Sequence, residues 1–148
     1  MIKPYTLSNI ESVLSIWLEA SIQSHTFIDR SFWESKINDM RDIYIPQSET
    51  HVFYLASEIV GFISLHQTTL AALFISPKHQ GKGFGTQLLD KAKSLRNELQ
   101  LAVYKDNHKS TRFYQQNGFQ SLYEQIDEHT GFPEIIMSWN NNKVQADT

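Results

Sequence analysis

The feature that most constrains this chain is the run Gln80-Gly81-Lys82-Gly83-Phe84-Gly85-Thr86, set between an apolar segment and an amphipathic one. Three glycines at alternate positions let the backbone curl so that successive N–H groups point the same way. Leu88, Leu89, Ala92 and Leu95 then recur at helical spacing, so a helix follows directly. Its first turn adds N–H donors with no intrahelical partner and the positive end of the helix dipole. Together these predict a cradle for a phosphate or pyrophosphate, each charge-assisted hydrogen bond contributing about 1.5–3 kcal/mol. Lys78 and Lys82 bring positive charge to the same stretch. An ordinary strand-to-helix turn is the plainer reading. A dinucleotide fingerprint needs a third glycine where this chain has Thr86, and a Walker A loop needs Gly-Lys-Ser/Thr at its end, so neither fits.

The pattern around this loop sets the architecture. Ile2–Thr6 reads as a strand. Ser8-x-x-Glu11 reads as a capping box opening a helix with the stripe Ile10, Val13, Leu14, Trp17 and Leu18. A second box, Ser31-x-x-Glu34, opens a helix striped by Trp33, Ile37, Met40 and Tyr44 and closed by Pro46. Between the two helices, residues 24–29 join no periodic pattern. His51–Ala56 and Ile59–Leu65 form a hairpin split at Ser57-Glu58. Thr68–Ile75 is continuously apolar from Leu70 to Ile75, as a strand buried on both faces would be. Beyond the loop helix come a strand at Leu99–Tyr104, a helix from Lys109 to Asn117 ended by Gly118, and strands at Phe119–Ile126 and Glu134–Trp139. The order βααβββαβαββ predicts an α+β (mixed α/β) domain over residues 1–139. It centres on a single mixed sheet of about six to seven strands flanked by about four helices. Residues 140–148 are polar and aperiodic and predict a frayed tail.

Composition narrows the partners. A chain of 148 residues buries roughly 68–70% of its unfolded surface and folds without staples. With no cysteine there is no disulfide framework, thiolate metal site or cysteine nucleophile. The charge of −3, from 13 basic and 16 acidic residues, lacks the positive field of a nucleic-acid binder. No apolar run approaches the roughly 20 residues of a membrane span, and Met1-Ile2-Lys3-Pro4 does not open like a signal peptide. These predict a soluble, cytoplasmic protein without nucleic-acid or membrane partners. The histidines and acids show no metal-ligand spacing, so no metal is expected. Edge strands near the C-terminus leave room for a homodimer.

A second constellation is Asn107-x-x-Ser110-x-x-Phe113-Tyr114-x-x-x-Gly118-Phe119. Ser110, Phe113, Tyr114 and Asn117 share a helical face, and Asn107 stands where its amide caps the helix or bonds a ligand. Alone, Phe113 and Tyr114 read as core aromatics. In combination, Gln80-x-x-Gly83-x-Gly85 after Leu73-Phe74-Ile75-Ser76-Pro77 resembles the acetyl-CoA motif of the GNAT superfamily of N-acetyltransferases. Asn107 to Phe119 is similar to that family's second motif, and the element order matches over residues 1–139. His25-x-Phe27-Ile28, Leu70–Ile75 and Ile136-Met137-Ser138-Trp139 resemble the small bacterial YiaC/YjaB branch.

The resemblance implies the GNAT fold and acetyl transfer from acetyl-CoA to a primary amine. A protein lysine is favoured; a small-molecule amine or a non-catalytic CoA-sensing module are the alternatives. It also implies a division of labour. The backbone of Leu73, Phe74 and Ile75 would pair with the pantetheine arm. N–H groups of Gly81, Lys82, Gly83, Phe84, Gly85 and Thr86 would hold the pyrophosphate. Asn107 would meet the pantetheine, and Tyr114 would protonate the leaving thiolate. The base is the open question. Many members of the family carry a glutamate where this chain has Thr68-Thr69-Leu70. The remaining candidates are His25, Glu124, Asp127, Glu128, His129 and Glu134. His25 is preferred because its aperiodic loop after the first helix is where family acceptor sites lie, and the acids of 127–131 read as a solvated turn.

Overall fold

The computed structural model describes residues 1–141, which divide into two compact units, Met1–Ala92 and the segment from Lys93 onward. In the first unit, strands β1 (Ile2–Pro4), β2 (Glu49–Leu55), β3 (Glu58–His66) and β4 (Thr69–Ile75) follow one another in antiparallel order. The β2–β3 hairpin turns at Ala56-Ser57, as expected to within a residue. Helix α1 (Ile10–Ser24) buries Val13, Leu14, Ile16, Trp17 and Ala20, the stripe that helical periodicity demands. Val52, Phe62, Ile63 and Leu65 from the strands are all but sealed, as are Leu88 and Leu89 of α4 (Phe84–Leu95). Each such side chain contributes about 1.5–3 kcal/mol of burial.

Three details of this unit depart from the sequence pattern. First, β4 is not buried on both faces: Ala71 is exposed and Leu73, Phe74 and Ile75 are half-buried. Ser64 faces Ala72 while Leu65 faces Leu70, so Ala71 is an extra residue in a bulge that interrupts the pairing. Second, neither expected capping box forms. A 3-10 turn (Leu7–Asn9) precedes α1, pinned by the Thr6 N–H donating to Asn9 Oδ1 at 2.8 Å. Helix α2 (Arg30–Ser35) is capped by Asp29, whose Oδ1 accepts from the Ser31 N–H at 2.9 Å. A carboxylate is the stronger acceptor, so it takes the cap from the serine hydroxyl, and Glu34 turns to Arg30 at 3.8 Å. Third, the second helix is not continuous. It breaks at Lys36, resumes as α3 (Ile37–Asp39) and widens into a π turn (Met40–Tyr44). The wider turn shifts the apolar stripe, so Ile45 is buried where Tyr44 was expected, and Tyr44 is exposed.

In the second unit, β5 (Glu98–Tyr104), β7 (Pro133–Asn140) and β6 (Gln120–Ile126) lie in that spatial order, all antiparallel. Leu99, Leu101 and Val103 are buried while Glu98, Gln100 and Ala102 are exposed, the period-two pattern of a half-buried strand. Helix α5 (His108–Gln116) runs between β5 and β6. Strand β7 reaches Asn140, and the Asn141 N–H donates to the Asn97 carbonyl at 2.7 Å. The rest of the expected tail, 142–148, lies outside the described residues.

Candidate active site

The glycine loop is held by its side chains. The Gln80 amide Nε2 donates to the Ile75 carbonyl at 3.0 Å, tying the loop to the end of β4. Phe84 stacks on Phe53 of β2, with ring centroids 4.5 Å apart. Gly81 and Gly83 adopt φ of 78° and 85°, the left-handed region that favours glycine. The Gly83 carbonyl accepts from the Gln87 N–H at 3.2 Å, so Gly83 stands at the cap and α4 begins at Phe84. Phe84, Gly85 and Thr86 therefore occupy the first turn, whose N–H groups have no intrahelical partner. The backbone here has adjacent amides at a helix N-terminus, with Lys82 exposed beside them. Sequence reasoning put Gln80 and Phe84 with the cofactor; the structure employs both side chains as anchors to the sheet.

In the second unit, Asn107 is the N-cap of α5: its Oδ1 accepts from the Ser110 N–H at 3.2 Å. Of the two roles its position allowed, the cap is present. Phe113 is half-buried, and Tyr114 is buried against Phe113 and Phe119 at centroid distances of 5.2 and 5.4 Å. Burial pushes the Tyr114 hydroxyl well above the ordinary phenol range. It stays protonated at any working pH, a hydrogen-bond donor and a very weak acid.

His25 lies at the C-terminal end of α1, buried, with its ring stacked on Trp33 at 4.9 Å and edge-on to Phe27 at 5.8 Å. Its Nδ1 sits 2.8 Å from the Ser21 carbonyl. A carbonyl only accepts, so Nδ1 carries the proton and Nε2 of the neutral ring carries the lone pair. Burial lowers the His25 pKa, partly offset by the Ser21 bond, so the neutral form prevails at neutral pH. The acidic alternatives are engaged elsewhere. Asp127 accepts from the Tyr104 hydroxyl, the Thr130 hydroxyl at 3.2 Å and the His129 N–H at 3.0 Å. Glu124 pairs with Lys105 at 3.1 Å, and Glu134 accepts from the Gln125 amide at 2.6 Å. Residues 127–131 form a turn in which Glu128 and His129 are exposed.

One partner of His25 was missed in the sequence, where Trp33 reads as one more apolar residue of a stripe. Its indole Nε1 and the Ser21 Oγ are buried with no hydrogen-bond partner. Each such group costs about 1–3 kcal/mol, so the packing around His25 is retained against a penalty. Among the described residues no group of His, Asp or Glu could hold a metal ion, and no helix is long and apolar enough to cross a membrane.

Left-handed glycines leading into a helix N-terminus on an α+β scaffold make an arrangement suited to an anionic group such as a phosphate. The chain belongs to the GNAT acetyltransferase family: the model of the acetyltransferase (GNAT) domain matches residues 46–121. It is 31% identical over 140 residues to the peptidyl-lysine N-acetyltransferase YiaC of Escherichia coli K12, covering 94% of this chain and 96% of that one. The fold matches the solution structure of apo YjaB from Escherichia coli with a TM-score of 0.82, at 24% identity, over 94% of this chain and 96% of that one. It also matches the PaiA N-acetyltransferase of Thermoplasma acidophilum in complex with coenzyme A. There the TM-score is 0.82, at 20% identity, over 95% of this chain and 98% of that one.

Proposed function

We propose that this enzyme transfers an acetyl group from acetyl-CoA to the ε-amine of a lysine in a polypeptide, by direct attack of the amine on the thioester carbonyl. The observation that carries this reading is the cradle at 81–86, whose left-handed glycines and first-turn amides suit the pyrophosphate of CoA. The relation to a peptidyl-lysine N-acetyltransferase favours lysine as acceptor. The net charge of −3 suits a basic polypeptide.

A lysine amine with a pKa of about 10.4 must lose its proton before it attacks, at a cost of about 4–5 kcal/mol at pH 7. His25 is the group we assign to receive it. The ring is neutral, and Nε2 holds the lone pair because Nδ1–H donates to Ser21. Backbone groups of Leu73, Phe74 and Ile75 would pair with the pantetheine arm. Tyr114 would donate a hydrogen bond to the sulfur as the C–S bond breaks. Since burial raises its pKa, full proton transfer to a thiolate of pKa about 8.5 runs uphill. Tyr114 therefore acts by hydrogen bonding, and solvent completes protonation of the thiol. We place the enzyme in the cytoplasm and working without a metal, which its cysteine-free sequence and titratable groups accommodate.

The test is calorimetric titration of acetyl-CoA followed by mass spectrometry of a lysine peptide incubated with enzyme and acetyl-CoA. Saturable binding and a lysine-linked acetyl group are expected. Binding with transfer only to small amines would replace the acceptor, and no binding would end the transferase reading of this site. With His25→Gln the acidic limb of the rate profile should disappear along with most of the rate; an unchanged profile would remove His25 from the chemistry.

A further inference from the structure

A groove of about 720 Å³ runs beside α1 in the first unit, between the outer face of that helix, the β2–β3 turn and residues 76–78. None of residues 80–86 lines it, so it is separate from the cradle. Its charge is also the opposite of the cradle's. Glu11, Glu19 and Glu58 line it against a single lysine, Lys78. Glu11 shares an ion pair with Arg41 at 3.7 Å, while Glu19 and Glu58 have no cation partner among the described residues. A polyanion such as CoA is repelled from such a surface.

An independent feature of the groove points to a ligand. Ser76, a lining residue, is more than nine-tenths buried, and it stands at the N-cap of the 3-10 turn Pro77–His79. A serine there ordinarily caps the turn with its hydroxyl, but this one makes no cap bond. Its backbone is fully used, the N–H donating to Val60 and the carbonyl accepting from His79, each at 2.8 Å. The hydroxyl thus makes no cap bond on a residue that lines a groove of carboxylates, where it is open to a donor from a ligand.

The carboxylates are too dispersed to close around a metal ion: no such group occurs among the described residues. They are spread over two elements instead, Glu11 and Glu19 on α1 and Glu58 at the start of β3. Glu11 and Glu19 are eight residues apart on α1, about 12 Å at 1.5 Å per residue. In an extended peptide, side chains four residues apart lie on one face about 13 Å from each other.

We propose that this groove binds a lysine-bearing segment of the acceptor polypeptide, engaging ammonium groups other than the one acetylated, with Glu19, Glu58 and Ser76 as its main contacts. The inference deepens the lysine-transfer reading and rests on it for the identity of the ligand. Binding itself needs neither acetyl-CoA nor turnover. The test is calorimetry of a terminally blocked peptide with two lysines four residues apart in a serine background, beside the same peptide with glutamines and beside spermidine. The lysine peptide should bind, more weakly as salt is added, and the glutamine peptide should not. Glu19→Gln with Glu58→Gln should weaken binding about tenfold and Ser76→Ala about fivefold, with acetyl-CoA affinity and thermal stability unchanged. Peptide affinity that is absent, or equal in wild type and both variants, overturns the proposal. Spermidine binding lost in the variants without peptide binding overturns the polypeptide occupant. Loss of acetyl-CoA binding by the wild type would sink the transferase reading alone and leave the groove result standing.

Discussion

In residues 80–86 the side chains of Gln80 and Phe84 fasten the loop to the sheet, and the amides of the first helical turn are the groups we propose to bind. In residues 107–119 the opposite holds. There the Asn107 side chain closes α5, and it is the Tyr114 hydroxyl to which we give the chemical role. Binding a phosphate calls for many fixed dipoles, which a backbone supplies whatever its side chains. Assisting a departing sulfur calls for one donor of defined pKa, which only a side chain and its burial can set. The two segments should therefore answer differently to substitution.

The largest effect should come from putting a carboxylate in the cradle. Gly83→Glu places a negative charge among the amides proposed to hold a phosphate and disturbs a φ of 85°. Loss of two or so charge-assisted hydrogen bonds should weaken acetyl-CoA by about a thousandfold in calorimetry. Tyr114→Phe should do the reverse. It keeps the packing against Phe113 and Phe119 and removes only the hydroxyl. Turnover should fall about a hundredfold with acetyl-CoA affinity unchanged. If affinity falls with Tyr114→Phe, or turnover falls without affinity in Gly83→Glu, the division between binding backbone and reacting side chain is wrong.

A smaller effect separates the same segments in stability. Gly83 and Gly118 both have left-handed φ, 85° and 92°. A Cβ on Gly83 would meet nothing within 4 Å, whereas one on Gly118 would lie 3.3 Å from Trp139 Cδ1. Gly83→Ala should thus cost only the backbone term, about 1–2 kcal/mol. Gly118→Ala should cost that and about 1 kcal/mol more of crowding, read as the lower denaturant midpoint. Equal midpoints would mean that Trp139 yields freely.

How far the sequence foretold this molecule depends on the range of the forces involved. The stripe Val13, Leu14, Trp17 and the alternation Leu99, Leu101, Val103 are local periodicities, and both elements stand where they predict. The left-handed turn at Gly81 and Gly83 is legible for the same reason: backbone freedom is written residue by residue. The caps were misread because Asp29 competes with Ser31 for one helix end, a contest of acceptor strength invisible to a spacing rule. The bulge at Ala71 depends on the register of β3, and the setting of His25 depends on Trp33, eight residues on and brought against it by folding. The missing cap bond of Ser76 has no sequence signature at all.

His25 gives the smallest effect and the one most specific to its setting. Its folded pKa is lowered, chiefly by burial, below the unfolded value of about 6.5. Between those two values the unfolded chain binds the proton and the folded one does not. Stability is therefore fully present above about pH 6.5 and declines as pH falls towards the folded pKa. Other histidines and the carboxylates add slopes of their own, so the informative quantity is the difference between wild type and His25→Gln. The variant loses the stacking on Trp33 and should be less stable throughout, by an amount independent of pH if packing were all that changed. The expected result is instead a gap that narrows below about pH 6.5, because only the wild type carries the penalty of a histidine that must stay neutral to stay folded. A constant gap would mean that His25 titrates as it does in the unfolded chain. Its ring would then be charged in mild acid and lose the lone pair on which its role as a base depends.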